Sequence, residues 1–237
     1  MNALGHKVAI VTGASRGIGS ALVAAYRKLD YAVVAASRTV AQDDDLKVLA
    51  VRGDIGDPAT ADRVVDAAIE RFGRVDTLIN NAGIFIAKPF TDYTDEDFAQ
   101  YVSVNLAGFF GITRRAVPHL VEHGDGHIVN VTTSLVDHAN SNVPSVLTSL
   151  TKGGLQSATK SLAIEYAGRG LRVNAVSLGA VKTLMHAPEA YEALAGLHPL
   201  GRMGDVSDVV EAVVYLEHAS FVTGEILHLD GGQSAGH

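Results

Sequence analysis

The chain has 237 residues, with 26 acidic against 19 basic side chains and a net charge of −7 at neutral pH. Its 47% hydrophobic and 19% charged content fills the core of one α/β unit and is unlike a disordered or fibrous chain. The acidic balance argues against a nucleic-acid partner, and the lack of cysteine leaves neither a disulfide framework nor a thiolate metal site, so no metal is expected.

The start, Met1-Asn2-Ala3-Leu4-Gly5-His6-Lys7, carries no signal-peptide core. Arg, Lys, Asp or Gly interrupts every apolar run before the roughly 18 residues that span a bilayer. A cytoplasmic protein without a membrane partner is the expectation.

Short β-branched runs then alternate with longer Ala-rich amphipathic stretches, the pattern of parallel strands joined by crossover helices. Strands are predicted over 7–11, 32–37, 48–52, 77–79, 127–131, 172–177 and 226–229, and helices over 18–29, 62–72, 95–119, 145–167 and 207–216. Between the second and third strands, Arg38 to Lys47 is too short for a crossover helix, and its Asp43-Asp44-Asp45 run reads as a solvated loop rather than a cation site. No repeat or shift of composition marks a second domain. Residues 1–237 therefore read as one α/β domain, a doubly wound, mostly parallel seven-stranded sheet in three layers.

After the first strand, Thr12-Gly13-Ala14-Ser15-Arg16-Gly17-Ile18-Gly19 runs straight into a helix. Glycines let backbone approach a pyrophosphate closely, and the helix start offers it unpaired N–H groups and a partial positive charge. Strand, glycine loop and helix in that order predict a Rossmann fold that binds a dinucleotide. The spacing Gly-x-x-x-Gly-x-Gly is joined by Asn80-Asn81-Ala82-Gly83 after the fourth strand, Asn105 within a helix, Asn174-Ala175-Val176 in the sixth strand and Asp230-Gly231-Gly232 after the last. Together these resemble the short-chain dehydrogenase/reductase family, over essentially the whole chain.

The resemblance implies that Gly13, Ser15, Arg16, Gly17, Ile18 and Gly19 line the pyrophosphate, that Asp54 and Ile55 meet the adenine, and that Asn81, Ala82 and Gly83 pack near the ribose. It places Val181 and Thr183 toward the carboxamide and phosphates, and a variable substrate lid over 184–200, with His186, Tyr191 and His198 as its polar side chains. The residues themselves also allow Asp54 to be a turn acid and Asn81 a strand-end hydrogen bond. At the end of the second strand Ser37 and Arg38 stand where NAD-preferring proteins place a carboxylate. Arg38, with Arg16, can grip a 2′-phosphate, so NADP(H) is favoured over NAD(H).

The family's chemistry is hydride transfer between nicotinamide and a carbonyl or alcohol. A tyrosine four residues before a lysine shares one helix face with it, the ammonium makes the phenol more acidic, and a strand-end hydroxyl polarises the substrate oxygen. Lys152 matches the lysine, yet Thr148 stands in the tyrosine's place and no tyrosine lies between Tyr101 and Tyr166. Lys152 is left with holding the nicotinamide ribose, Asn105 with helping a helix bend, and Thr133, or Ser134, with the strand-end hydroxyl. Water, Thr148 itself or His138, in a loop with Asp137, would carry the proton. After the sixth strand, Ser177-Leu178-Gly179 replaces the family's Pro-Gly. The expected function is an NADP(H)-dependent oxidoreductase acting on a small-molecule carbonyl or alcohol; the alternative is a catalytically silent dinucleotide sensor or partner subunit. The resemblance also implies a homotetramer or homodimer built on the helices over 95–119 and 145–167.

Overall fold

In the computed structural model seven strands form one sheet in the order β3-β2-β1-β4-β5-β6-β7. They are β1 (Val8–Thr12), β2 (Ala32–Ser37), β3 (Val48–Arg52), β4 (Thr77–Asn80), β5 (His127–Thr133), β6 (Arg172–Leu178) and β7 (Ile226–Leu229). Every pairing is parallel, so the expected mostly parallel sheet is wholly so. The structure describes residues 5–236; Met1 to Leu4, within the stretch read as lacking a signal-peptide core, and His237 lie outside the described residues.

Both faces of the sheet are covered, which is why β1 and β4 are buried along their whole length. On one face, α1 (Gly17–Lys28) and α7 (Val206–His218) bury Leu22, Tyr26, Val209 and Val213. On the other, α2 (Pro58–Phe72), α4 (Gly108–Leu120) and α5 (Val146–Tyr166) bury Val64, Phe72, Ile112, Leu120 and Ala163. Strand order reverses between β1 and β4, which opens a crevice at their carboxyl ends.

The differences from the predicted elements have local causes. Helix α2 starts at Pro58 rather than 62, because Asp57 caps it by accepting from Ala59 N at 3.0 Å and proline suits a first turn. The single helix expected over 95–119 is three pieces: α3 (Asp95–Tyr101), opened by a Thr94/Asp97 capping box, a π-helical segment Val102–Ala107, and α4. Residues 38–47 form no helix. Residues 184–200 hold only a short 3₁₀ turn and α6 (Tyr191–Ala195).

A buried polar cluster closes the amino end of the sheet, opposite the crevice. The Glu217 carboxylate, near the end of α7, accepts from Tyr31 Oη at 2.7 Å, Tyr26 Oη at 2.8 Å, His127 Nδ1 at 2.8 Å and Thr77 Oγ1 at 3.1 Å. Burial alone would raise its pKa, but these donors outweigh it and hold the carboxyl at about 2. Burial also lowers the pKa of His127. Asn174 Nδ2 meets His127 Nε2 at 3.2 Å, so the ring is neutral with its proton on Nδ1.

Candidate active site

The glycine loop is where β1 turns into α1. Gly13 has φ +67°, and a Cβ there would stand 2.8 Å from Asn81 Nδ2; a Cβ on Gly19 would collide with the Gly13 carbonyl oxygen. Only glycine lets this turn lie flat beside the end of β4. Asn81 Nδ2 donates to Thr12 O at 2.9 Å and Gly13 O at 3.3 Å, while Thr12 Oγ1 accepts from Asn81 N and Ala82 N, each at 3.0 Å. The side chain of Asn81 thus clasps the two strand ends, the second of its two sequence readings.

A cleft of about 760 Å³ opens over this loop. Gly13, Ser15, Arg16, Gly17, Ile18 and Gly19 border it below, Ser37 and Arg38 at the end of β2, Asp54 and Ile55 after β3, and Asn81, Ala82 and Gly83 after β4. Helix α1 has no side-chain cap, so its first N–H groups remain available beside the loop. Arg16 and Arg38 are exposed, and among the described residues neither pairs with a carboxylate. Asp54 borders the cleft and also accepts from Gly56 N at 3.0 Å, as a turn acid does.

The cleft continues into a second chamber of about 440 Å³, bordered by Thr133, Ser134, Thr148, Lys152 and Val181, with Ile18, Asn81, Gly83 and Thr183 common to both. From the 184–200 segment the chamber receives Met185, His186, Ala190, Leu194 and Leu197. His186 has its pKa lowered by burial; Tyr191 does not border the chamber. His198 is no lid contact: it is buried, with Nδ1 2.7 Å from Asp230 O and Nε2 accepting from Ala180 N at 3.2 Å, a brace between two chain segments.

Lys152 borders the chamber, beside Gly83, which lines both spaces. It is buried, Nζ donates to Val131 O at 2.8 Å, and burial lowers its pKa to about 8. A Cβ on Gly83 would come within 3.0 Å of that ammonium. Asn105 lies behind, in the π-helical segment: Oδ1 accepts from Ile84 N at 2.9 Å, and Nδ2 donates to Ile84 O at 3.2 Å and Thr151 Oγ1 at 3.1 Å. It fixes the backbone that follows Gly83 and does not itself border either space.

The two strand-end hydroxyls differ. Ser134 Oγ is buried and donates toward Gln233 Oε1 at 2.9 Å or Leu178 O at 3.2 Å, so its proton is committed. Thr133 Oγ1 accepts from Leu135 N at 3.3 Å and keeps its proton. The loop after them delivers Asn142 and Val143 to the chamber, not His138. Asp137 faces elsewhere, accepting from Gln156 Nε2 at 3.1 Å and pairing with His228 Nε2 at 3.1 Å.

The structure brings to the site a side chain that is not among the sequence candidates. Tyr101, at the end of α3 and fully buried, places its phenol oxygen 2.7 Å from Thr148 Oγ1. This phenol comes from α3, not from the Thr148 helix α5. The available signal was its spacing: Tyr101 precedes Asn105 by four residues, a helical neighbour of a residue already expected at the site.

Among the described residues no group of His, Asp and Glu side chains gathers to hold a metal ion, and no helix is long and apolar enough to cross a membrane. The family model described as Enoyl-(Acyl carrier protein) reductase matches residues 13–234. The chain is 35% identical over 246 residues to 3beta-hydroxysteroid dehydrogenase 1 of Eggerthella lenta, covering 96% of this chain and 94% of that one. The crystal structure of 3-ketoacyl-(acyl-carrier-protein) reductase from Brucella melitensis complexed with NADH superposes with a TM-score of 0.88 at 34% identity, over 98% of this chain and 100% of that one. ElxO with NADP bound superposes with a TM-score of 0.89 at 26% identity, over the same shares of the two chains.

Proposed function

The chain belongs to the short-chain dehydrogenase/reductase family of oxidoreductases, and on that premise we propose an NADP(H)-dependent enzyme acting on a small-molecule carbonyl or alcohol. The observation that carries this reading is the buried Lys152 ammonium in an apolar chamber, beside Gly83, which that chamber shares with a glycine-floored cleft. The glycine cradle and the open first turn of α1 suit a pyrophosphate. When bound, the dinucleotide supplies or takes the hydride. Lys152 holds the nicotinamide ribose, Val181 and Thr183 face its carboxamide end, and Thr133, whose proton is free, polarises the substrate oxygen. The 184–200 segment acts as the lid over a substrate with an apolar body, met by Ile84, Leu194 and Leu197.

The experiment is NADPH and NADH oxidation over a broad carbonyl panel, for the native chain and Thr148→Tyr, after titration has established dinucleotide binding by each. Native turnover is the expected result. Thr148 in the phenol's place favours a second reading, a silent sensor or partner subunit; binding without native turnover, with activity gained only in Thr148→Tyr, would establish it instead.

The preference for NADP(H) rests on Arg38 and Arg16, which border the cleft without carboxylate partners. A charge-assisted hydrogen bond contributes about 1.5–3 kcal/mol, so Arg38→Ala is expected to weaken NADPH binding by about 10–100-fold and leave NADH binding nearly unchanged. Fluorescence titration of both dinucleotides checks this; equal losses for the two would remove the 2′-phosphate from the account.

Phe110 on α4 and Leu150 and Ile164 on α5 are 59%, 58% and 79% exposed, which fits use of these helices in a homodimer or homotetramer. Sedimentation equilibrium should give a multiple of the 24.8 kDa chain; a monomer would reject the assembly.

A further inference from the structure

Among the described residues the Thr148 hydroxyl has one hydrogen-bond partner, the Tyr101 phenol at 2.7 Å. Thr148 borders the apolar chamber and Tyr101 does not. The phenol oxygen accepts from Ile86 N at 2.6 Å, which leaves its own proton two acceptors: Thr148 Oγ1, or Ile86 O at 3.2 Å. Ile86 O already receives the Tyr93 hydroxyl at 2.6 Å, so the shorter and less contested path for the Tyr101 proton leads to Thr148. Thr148 then accepts from the phenol, and its own O–H is left for a group in the chamber.

We propose that Tyr101 is the proton source of the reaction, reaching the substrate oxygen through the Thr148 hydroxyl. This rests on the oxidoreductase reading above. In the reducing direction the carbonyl carbon accepts hydride from the reduced nicotinamide dinucleotide while the C=O π pair moves onto oxygen. That oxygen takes the Thr148 proton, Thr148 Oγ1 takes the Tyr101 proton, and the phenolate left behind keeps its hydrogen bond from Ile86 N. The carbonyl is reduced, the dinucleotide oxidised, and water entering the emptied chamber reprotonates the phenolate back along the same path. An aliphatic alcohol is too weak an acid to be the final donor. As a relay it gives one proton while receiving another and never holds the charge, so that weakness is no obstacle. Tyr101 thereby acts through Thr148 and does not itself touch the substrate.

The titratable and charged groups around the phenol are few. Tyr93 stands edge-on to its ring at 6.3 Å between centroids, the Lys88–Asp97 pair lies against Tyr93, and Lys152 is one turn beyond Thr148 on α5.

The test begins with native turnover at saturating NADPH and continues with Tyr101→Phe, Thr148→Val, Thr148→Ser and the native chain carrying 3-fluorotyrosine at position 101. Tyr101→Phe and Thr148→Val are each expected to lose about 10²–10⁴ in kcat, with KM and the Kd for NADPH unchanged and no further loss in the double variant. Thr148→Ser should retain most of the rate. The fluorinated phenol is a stronger proton donor and leaves the fold intact, so it should change kcat for reduction while KM stays unchanged, and this reading stands even where Tyr101→Phe fails to fold. Without dinucleotide, its fluorine resonance should shift when Thr148 becomes valine. A kcat for folded Tyr101→Phe equal to the native value, or a kcat that the fluorinated phenol leaves unmoved, overturns the relay alone. Intact NADPH binding without native turnover on any carbonyl or alcohol overturns the oxidoreductase reading and the relay with it.

Discussion

Lys152→Met is expected to lower kcat by about 10²-fold, the loss that a misplaced reacting group brings once the nicotinamide ribose is no longer held, and to leave the fold no less stable at pH 7. The two effects have one cause. The ammonium is buried, with Val131 O at 2.8 Å as its hydrogen-bond acceptor, and that burial lowers its pKa to about 8 from the ordinary lysine value of 10.5. The unfolded chain therefore holds the Lys152 proton more tightly than the folded one, and native stability rises as pH climbs from about 8 to about 10.5. Below that window the fold carries the cost of a charge held out of water, which methionine relieves at similar volume. Steady-state rates beside thermal unfolding at pH 7 and pH 10 check this, with dinucleotide titration separating lost binding from lost chemistry. A variant that loses stability at pH 7 and keeps its kcat would mean that Lys152 serves the fold and not the reaction.

Glu217→Ala should cost about 3–5 kcal/mol, as breaking a buried hydrogen-bonded charge cluster does, a large share of the roughly 5–15 kcal/mol that a domain possesses. It would strand the hydroxyls of Tyr26, Tyr31 and Thr77 and the Nδ1–H of His127 without their acceptor. The effect depends on pH in a definite sense. The carboxyl is held at about 2, below the ordinary glutamate value of 4.5, so its contribution is whole above about pH 4.5 and fades as pH falls toward about 2. The native chain's advantage over Glu217→Ala in urea unfolding should therefore shrink across that interval. His127 adds acid sensitivity of the same sign, because its pKa is lowered and the neutral ring must take a proton on unfolding at low pH. An advantage that stays constant down to the acid limit would show that Glu217 does not act as an ionised acceptor.

The two predictions fall at opposite ends of the sheet and had different visibility in the sequence. Lys152 stands out by its motif and Arg38 by its place at the end of β2, both matters of short spacing. The Glu217 cluster draws on α1, α7 and three strands, with Tyr26 and Glu217 separated by 191 positions, and no local pattern announces it. His138 looked suitable by chemistry and chain position, yet its loop turns Asn142 and Val143 to the chamber instead. His198 looked like a lid residue and is a brace.

By itself, then, the sequence determined the parallel α/β architecture, the glycine loop and the absence of a tyrosine from position 148. Each of these is written in neighbouring residues: hydrophobic periods of strand and helix, and glycines where backbone must come close. Only the tertiary structure decided what each hydroxyl faces. Ser134 is occupied by Gln233 from 99 positions away, which leaves Thr133 as the free strand-end hydroxyl. Thr148 meets a phenol from 47 positions earlier, across the contact of α3 with α5. Hydrogen bonds of 2.7–2.9 Å depend on where whole helices and loops come to rest, and that placement is the sum of all the contacts of the core, not a property of any short run of residues.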